Sequence, residues 1–253
     1  MITWKTINKI RMILERKYTR KMTLALRKQF ASVVDFTDIV TNPDSVIRSI
    51  DMVVIDEPIW DMFKELYSDS GNKFRKLVVK EVKSLEDDLW KEEMINYVNN
   101  NLGDDITNIT NYTKESIQTA LKNTLDESIE EGLSQTEIMK KFRETLTKGK
   151  YSRFTKSRAL TIVRTETTKA TNVASLESAK RFTTATIKKW LPPPIGIARV
   201  QERHAILPGL RGQKRMLDQP FLVDGTSMMH PGDPSGGAQN VINCRCAMTY
   251  ETV

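Results

Sequence analysis

The sequence predicts an α+β protein, with a mainly α-helical N-terminal part followed by a small β-rich C-terminal lobe. Two observations carry this. Up to about residue 182, apolar residues recur at three- and four-residue steps, the period of a helix with one buried face. After Ala185 the pattern changes to short runs of β-formers punctuated by Pro, Gly and Asp. The 253 residues suffice for one large domain or two modest ones. We divide them into a helical region 1–110, assigned to partner contacts, and a module 111–253 with helices over 112–182 and a β-rich lobe over 185–253.

Residues 5–33 read as one long helix, with Ile7, Ile10, Leu14, Tyr18, Met22, Leu26 and Phe30 on one stripe and basic residues between them. Asn42-Pro43-Asp44 and Glu57-Pro58 read as breakers in an irregular stretch. A second helix is expected over 73–100, through Phe74, Leu77, Val78, Val82, Leu85, Leu89, Met94 and Val98, with Gly103 ending it. A third spans about 112–131, with Ile117, Leu121, Leu125 and Ile129 four residues apart and Gly132 as its left-handed stop. Ser134-Gln135-Thr136-Glu137 has the spacing of a capping box and opens a short helix to about Leu146. A last long helix runs from about Ser157 to Phe182. Its stripe of Ala159, Ile162, Val163, Ala170, Val173 and Ala174 also carries Glu166. A carboxylate on a packed face needs a partner, because an unpaired buried charge is costly. Arg158, Arg164 or a backbone donor is the expected one, in an interhelix salt bridge.

In the lobe, Thr186–Trp190, Phe221–Val223 and Val241–Tyr250 read as strands, Pro192-Pro193-Pro194 as extended chain, and Pro231-Gly232 as the centre of a type II turn. No apolar run approaches the roughly 20 residues of a membrane helix. The opening Met1-Ile2-Thr3-Trp4-Lys5 leads into a basic amphipathic stretch without the apolar core of a secretory signal, which predicts a cytoplasmic origin.

Charge is unevenly distributed. Residues 1–30 carry +8 and residues 148–189 carry +9, leaving −10 for the rest of a chain whose net charge is +7. Two basic zones flanking an acidic middle suit contact with nucleic acid or an acidic protein surface, and equally a pair of solvated helix faces. On the first helix the candidates for such contact are Lys5, Lys9, Arg16, Lys17, Arg20, Lys21, Arg27 and Lys28.

Every histidine and cysteine lies between positions 204 and 246. A strand would place Cys244 and Cys246 on one face, where their sulfurs with His204 and His230 could form a Cys2His2 zinc set. The single-residue spacing of the cysteines departs from the usual ligand pairs, and two small buried hydrophobes in a strand explain it as well. A disulfide between them would close a tight ring in extended chain. A thiol nucleophile with His204 and Asp233 lacks any local signature of a nucleophile elbow. The plainer expectation is that His204 donates to Asp233 or Asp218 and locks two loops, with no cofactor required.

The order of residues in this half resembles the phage head morphogenesis family, the Mu F-like minor head proteins. The matching elements are Arg164-Thr165-Glu166, Trp190, Arg199 with His204, Gly212-Gln213, Phe221, Pro231-Gly232-Asp233 and Asn243-Cys244-Arg245-Cys246, over about residues 112–250. Two features depart from the family. Pro192-Pro193-Pro194-Ile195-Gly196 replaces an acidic residue after the Trp, and Gln201 replaces an Arg before the His. The chain also has extra residues between His204 and Gly212. The resemblance implies a non-enzymatic structural protein of a tailed phage or prophage head, inside the procapsid and virion. Its implied role is at the portal vertex, in assembly and in DNA packaging or ejection. The implied partners are the portal protein, other head proteins and packaged DNA, with no membrane and no small-molecule substrate. The alternative is a zinc- or thiol-dependent hydrolase centred on His204, Cys244 and Cys246.

Overall fold

A computed structural model describes residues 3–78, 87–148, 150–181, 186–195 and 202–252. Among the described residues, helices come first: α1 (Trp4–Ile39), α2 (Pro43–Val53), α3 (Glu57–Val78), α4 (Asp87–Asn101), α5 (Gly103–Glu130), α6 (Gln135–Thr147) and α7 (Lys150–Lys180). The lobe then contains β1 (Thr186–Leu191), α8 (Glu202–Ile206), β2 (Lys214–Met216), β3 (Phe221–Val223), β4 (Thr226–Met228), a 3-10 turn at Pro234–Gly236, α9 (Gly237–Val241) and β5 (Ala247–Thr252). The architecture is the expected α+β, with helices followed by small antiparallel sheets. Among the described residues no helix is long and apolar enough to cross a membrane.

The chain forms two compact units. One comprises residues 1–18, 64–97 and 160–253, the other residues 19–63 and 98–159.

In the second unit α2, α5 and α6 pack together around Val46, Ile47, Ile50, Ile117, Leu121, Ile138 and Phe142, joined by Phe30 and Val33. The expected irregular stretch is not there. Pro43 is the first residue of α2, where its missing N–H costs nothing, and Asn42 caps that helix by accepting from Asp44 N at 2.9 Å. Pro58 likewise falls in the first turn of α3. These prolines start helices as well as stopping them.

Gly103 opens α5 and does not end the element before it, so the third helix begins nine residues earlier than the apolar period suggests. The reason is that Thr110 and Thr113 take buried positions on that face, and Asp104 and Asp105 suit the positive end of the helix dipole. Of the helix expected over 73–100, the described parts are helical, 73–78 at the end of α3 and 87–100 in α4; residues 79–86 lie outside the described residues. At the end of α5, Gly132 has φ +69°, with Leu133 N bonding Ser128 O and Gly132 N bonding Ile129 O, a Schellman stop. The capping box forms as expected, with Ser134 and Glu137 each accepting from the other's backbone.

In the first unit α7 is buried on almost every side from Glu166 to Leu176. Its inner positions are small and polar. Their hydroxyls turn back onto the helix: Thr171 bonds Thr167 O, Ser175 bonds Thr171 O and Ser178 bonds Ala174 O, at 2.7–2.8 Å. This satisfies the hydroxyl donors within the helix and leaves the Thr171 oxygen free to accept from Arg11.

The lobe has a three-stranded sheet in the order β2-β1-β5 and a hairpin of β3 with β4, all antiparallel. Trp190 pairs with Met248 and Lys188 with both Arg215 and Tyr250. Asp224 and Gly225 have φ +48° and +77°, the two left-handed positions that a tight hairpin turn demands. Residues 241–246 are not a strand as expected. Val241 ends α9, Asn243 has φ +56°, and the strand starts only at Ala247.

Candidate functional site

The chemistry-bearing residues converge where the loop 242–246 leaves α9 and enters β5. Cys244 and Cys246 are free and fully buried, and so is His204 on α8. His204 Nδ1 is 3.5 Å from each sulfur, and the three ligand atoms lie within 4.8 Å of one another. The left-handed turn at Asn243 and the bond from Cys244 N to Val241 O curl the chain so that both sulfurs point inward without strand geometry. Cys246 N also lies 3.5 Å from Cys244 Sγ.

His204 is oriented from behind. Its Nε2 lies 3.1 Å from Asn240 Oδ1, and Asn240 Nδ2 donates to Gly236 O at 3.1 Å. The carbonyl of Gly236 fixes which way the amide faces, so Nε2 carries the proton and Nδ1 turns its lone pair toward the sulfurs. The expected carboxylate partner is replaced by this amide. Asp233 serves its own turn, accepting from Met229 N at 2.6 Å and Ser235 N at 3.0 Å. Burial pushes its carboxyl up, but those N–H donors and the Ser235 hydroxyl bring it below the usual range.

His230, expected as a fourth ligand, is outside the cluster. It is buried and donates from Nδ1 to Pro231 O at 3.2 Å, and burial lowers its pKa. It stands at the first position of the expected type II turn, closed by Asp233 N to His230 O at 3.1 Å with Gly232 at φ +83°. A Cβ on Gly232 would lie 3.1 Å from the backbone N and Cα of Lys169, so the turn sits directly on α7.

The two thiols share an asymmetric environment. The Cys246 side chain, followed by His204, holds the Cys244 thiol well below its usual range against burial. Burial, helped by Cys244, pushes the Cys246 thiol well above it. Arg11, buried on α1, stands over the pair. Its Nε donates to Thr171 Oγ1 at 2.8 Å and its Nη1 to Cys246 O at 2.9 Å. Burial brings the guanidinium down to about 10, while Cys244 and Glu15 act in the opposite sense.

α7 supplies the remaining clamps. Thr168 donates to Cys244 O at 2.6 Å, Thr165 Oγ1 accepts from Asn243 N at 2.9 Å, and Asn172 Nδ2 reaches Pro231 O and Cys246 O. Trp190 packs edge-on to His204 and to Phe221, with ring centroids at 6.3 and 5.1 Å. Gly212 at φ +77° donates to Trp190 O, and the Gln213 side chain bonds both the N and O of Leu222, acting as a short strand between β2 and β3.

Glu166 is buried as its stripe position implied, but its partners are Tyr67 Oη at 2.8 Å and Lys169 Nζ at 3.4 Å. Arg164 instead faces Glu15, with Nε 3.7 Å from Oε2. Arg199 lies outside the described residues. On α1, Lys5, Lys9, Arg16, Lys17, Arg20, Arg27 and Lys28 are exposed and Lys21 is half-buried, while Lys17 also pairs with Asp69 at 2.5 Å.

Four residues were missed from the sequence. Arg11 and Glu15 lie on the stripe of Ile7, Leu14 and Tyr18, so a charge on an apolar face was the available signal. Asn240 gave no signal. Lys188 alternates inward with Thr186 and Trp190 on β1, where it is fully buried and donates to Leu217 O and Met229 O. Burial, with Lys180 acting the same way, lowers it to about 8.

The model of the Phage Mu protein F like family matches residues 119–249, more than half of the chain. The protein therefore belongs to that family, a phage head morphogenesis family. No curated protein and no solved structure matches it.

Proposed function

We propose that the protein is a non-enzymatic minor head protein of a tailed phage or prophage. It would act at the portal vertex during procapsid assembly and in DNA packaging or ejection. Membership of the Mu F-like family over residues 119–249 carries the reading. The state of the His204, Cys244 and Cys246 cluster supports it, because three fully buried side chains offer no approach to a substrate as the hydrolase alternative requires. The exposed basic residues of α1 are the proposed contact with an acidic portal surface or packaged DNA. The protein's place is then the virion and procapsid interior, with the portal and other head proteins as partners.

Cross-linking of assembling procapsids followed by peptide mapping tests this. Links from the chain to the portal protein are expected; a chain absent from procapsids defeats the reading. Titration with duplex DNA at increasing salt separates the two surfaces. A DNA contact weakens steeply in proportion to the phosphates neutralised, and no binding at low salt leaves the portal surface alone.

A further inference from the structure

We propose that His204 Nδ1, Cys244 Sγ and Cys246 Sγ bind one zinc ion, and that this ion is a structural lock between α8 and the loop leading into β5. The geometry is the first argument. In a tetrahedral site with Zn–S near 2.3 Å and Zn–N near 2.0–2.1 Å, a sulfur and a nitrogen ligand stand roughly 3.6 Å apart. Both sulfurs here are 3.5 Å from Nδ1. A thiol donating to an imidazole needs only one sulfur at that distance; two sulfurs around one lone pair leave a common point for a cation.

The second argument is the support behind the ligands. Ligating histidines are held by a hydrogen bond to the ring nitrogen that does not bind metal. Asn240 does this through Nε2, with its own amide fixed by Gly236 O. The approach of Cys246 N to Cys244 Sγ at 3.5 Å is the kind of backbone contact that favours thiolate over thiol.

The third argument is a pair of orphaned donors. Arg11 Nη2 and Trp190 Nε1 are buried with no acceptor in hydrogen-bonding geometry. Arg11 acts on Cys246 by its charge and Trp190 as a weak hydrogen-bond donor to its side chain, both in the sense that favours the thiolate. A neutral thiol is a poor acceptor, whereas a metal-bound thiolate retains lone pairs that such donors can face. Two thiolates also balance the charge of a divalent cation in a dry interior, where an uncompensated ion would be very costly. Sulfur and imidazole ligands select zinc over the hard cations. Three protein ligands with a water at the fourth vertex are the pattern of catalytic zinc rather than of structural sites, which have four. Here the complete burial of all three ligands keeps that vertex from any substrate and leaves the ion a locking role. His230 is not among the ligands.

The test uses the full chain. Purified protein is equilibrated with zinc, freed of excess, and assayed for metal and by circular dichroism. Cobalt is then substituted and its absorption recorded. Close to one zinc per chain is expected, with a thiolate-to-cobalt charge-transfer band and the visible pattern of a tetrahedral site. His230→Gln should retain both. Cys246→Ser and His204→Gln should fall below about a tenth of an equivalent. A folded wild-type chain that takes up no zinc overturns the proposal, as does a cobalt form without the charge-transfer band. Retained stoichiometric metal in folded Cys246→Ser or His204→Gln overturns the ligand set. The cobalt spectrum of the wild-type chain decides the matter if those variants do not fold.

Discussion

Arg245, in the loop before β5, and Glu15, on α1, face each other through two parallel hydrogen bonds, Nη1 to Oε1 at 3.0 Å and Nη2 to Oε2 at 2.9 Å. The Glu15 side chain is 7% exposed and that of Arg245 20%. A planar fork on a carboxylate with this little solvent is among the stronger ion pairs, and removing one partner leaves the other charge poorly solvated. Arg245→Met should cost about 2–4 kcal/mol in urea unfolding with an unchanged slope. Arg245→Lys should recover only part of the loss, since lysine offers a point charge in place of the fork. A double-mutant cycle with Glu15→Gln that gives coupling near zero would refute this.

Gly232→Ala should be far more damaging than Gly225→Ala. Both glycines have positive φ, but a methyl at 232 would press on the backbone of Lys169, whereas nothing lies within 4 Å of position 225. We expect about 1 kcal/mol at 225 from backbone strain alone. At 232 we expect about 2–4 kcal/mol, because the turn must leave α7. Equal losses would mean that the turn yields easily.

Ser134→Ala should destabilise α6 by about 1 kcal/mol. The hydroxyl accepts from Glu137 N at 3.4 Å, and Glu137 Oε2 accepts from Ser134 N at 2.8 Å. Ser134→Asp, which keeps an acceptor, should retain most of the stability. Amide hydrogen exchange in the first turn of α6 is the measurement.

Lys188 gives a pH prediction. Its folded pKa of about 8 lies below the ordinary 10.5, mainly through burial. Above 10.5 both folded and unfolded chains carry it neutral, so no penalty is present. As pH falls from 10.5 to 8 the unfolded chain takes up a proton that the folded chain refuses, and stability declines, by at most about 1.4 kcal/mol per pH unit. Relative to Lys188→Met, the wild type should therefore gain stability as pH rises from 8 to 10.5. A flat difference over that range would show the ammonium to be fully accommodated by Leu217 O and Met229 O.

Much of this fold was legible because local rules and packing agreed. The Schellman stop at Gly132, the capping box at Ser134 and the turn at Pro231-Gly232 each depend on residues within one turn of chain, and each is present. The misreadings share a cause. Pro43 and Pro58 can both end one helix and begin another, and nothing local chooses. Thr110 and Thr113 occupy buried positions that a hydrophobic pattern does not count. At the site, Cys244 and Cys246 were placed on a common face, but the face comes from a left-handed residue at Asn243 and not from a strand. The partner of His204 proved to be Asn240, an uncharged residue 36 positions away that no spacing rule singles out. Glu166 was recognised as buried, yet its hydrogen bond comes from Tyr67, 99 residues distant.

The separation of bonded partners also sets an order of events for a chain emerging from the ribosome. Trp4 Nε1 bonds Arg245 O across 241 residues, and Arg11 reaches Cys246 O across 235. Pairings this remote close slowly and only after both ends exist. The opening helix must therefore wait, with its buried arginine uncompensated, until Arg245 and Cys246 have been translated. Nascent chains arrested before residue 243 should keep Trp4 accessible to a collisional quencher, and release of the remaining residues should shield it. Completion of this unit thus depends on synthesis of residues 243–246, so no chain stopped short of them could present the finished surface to a partner.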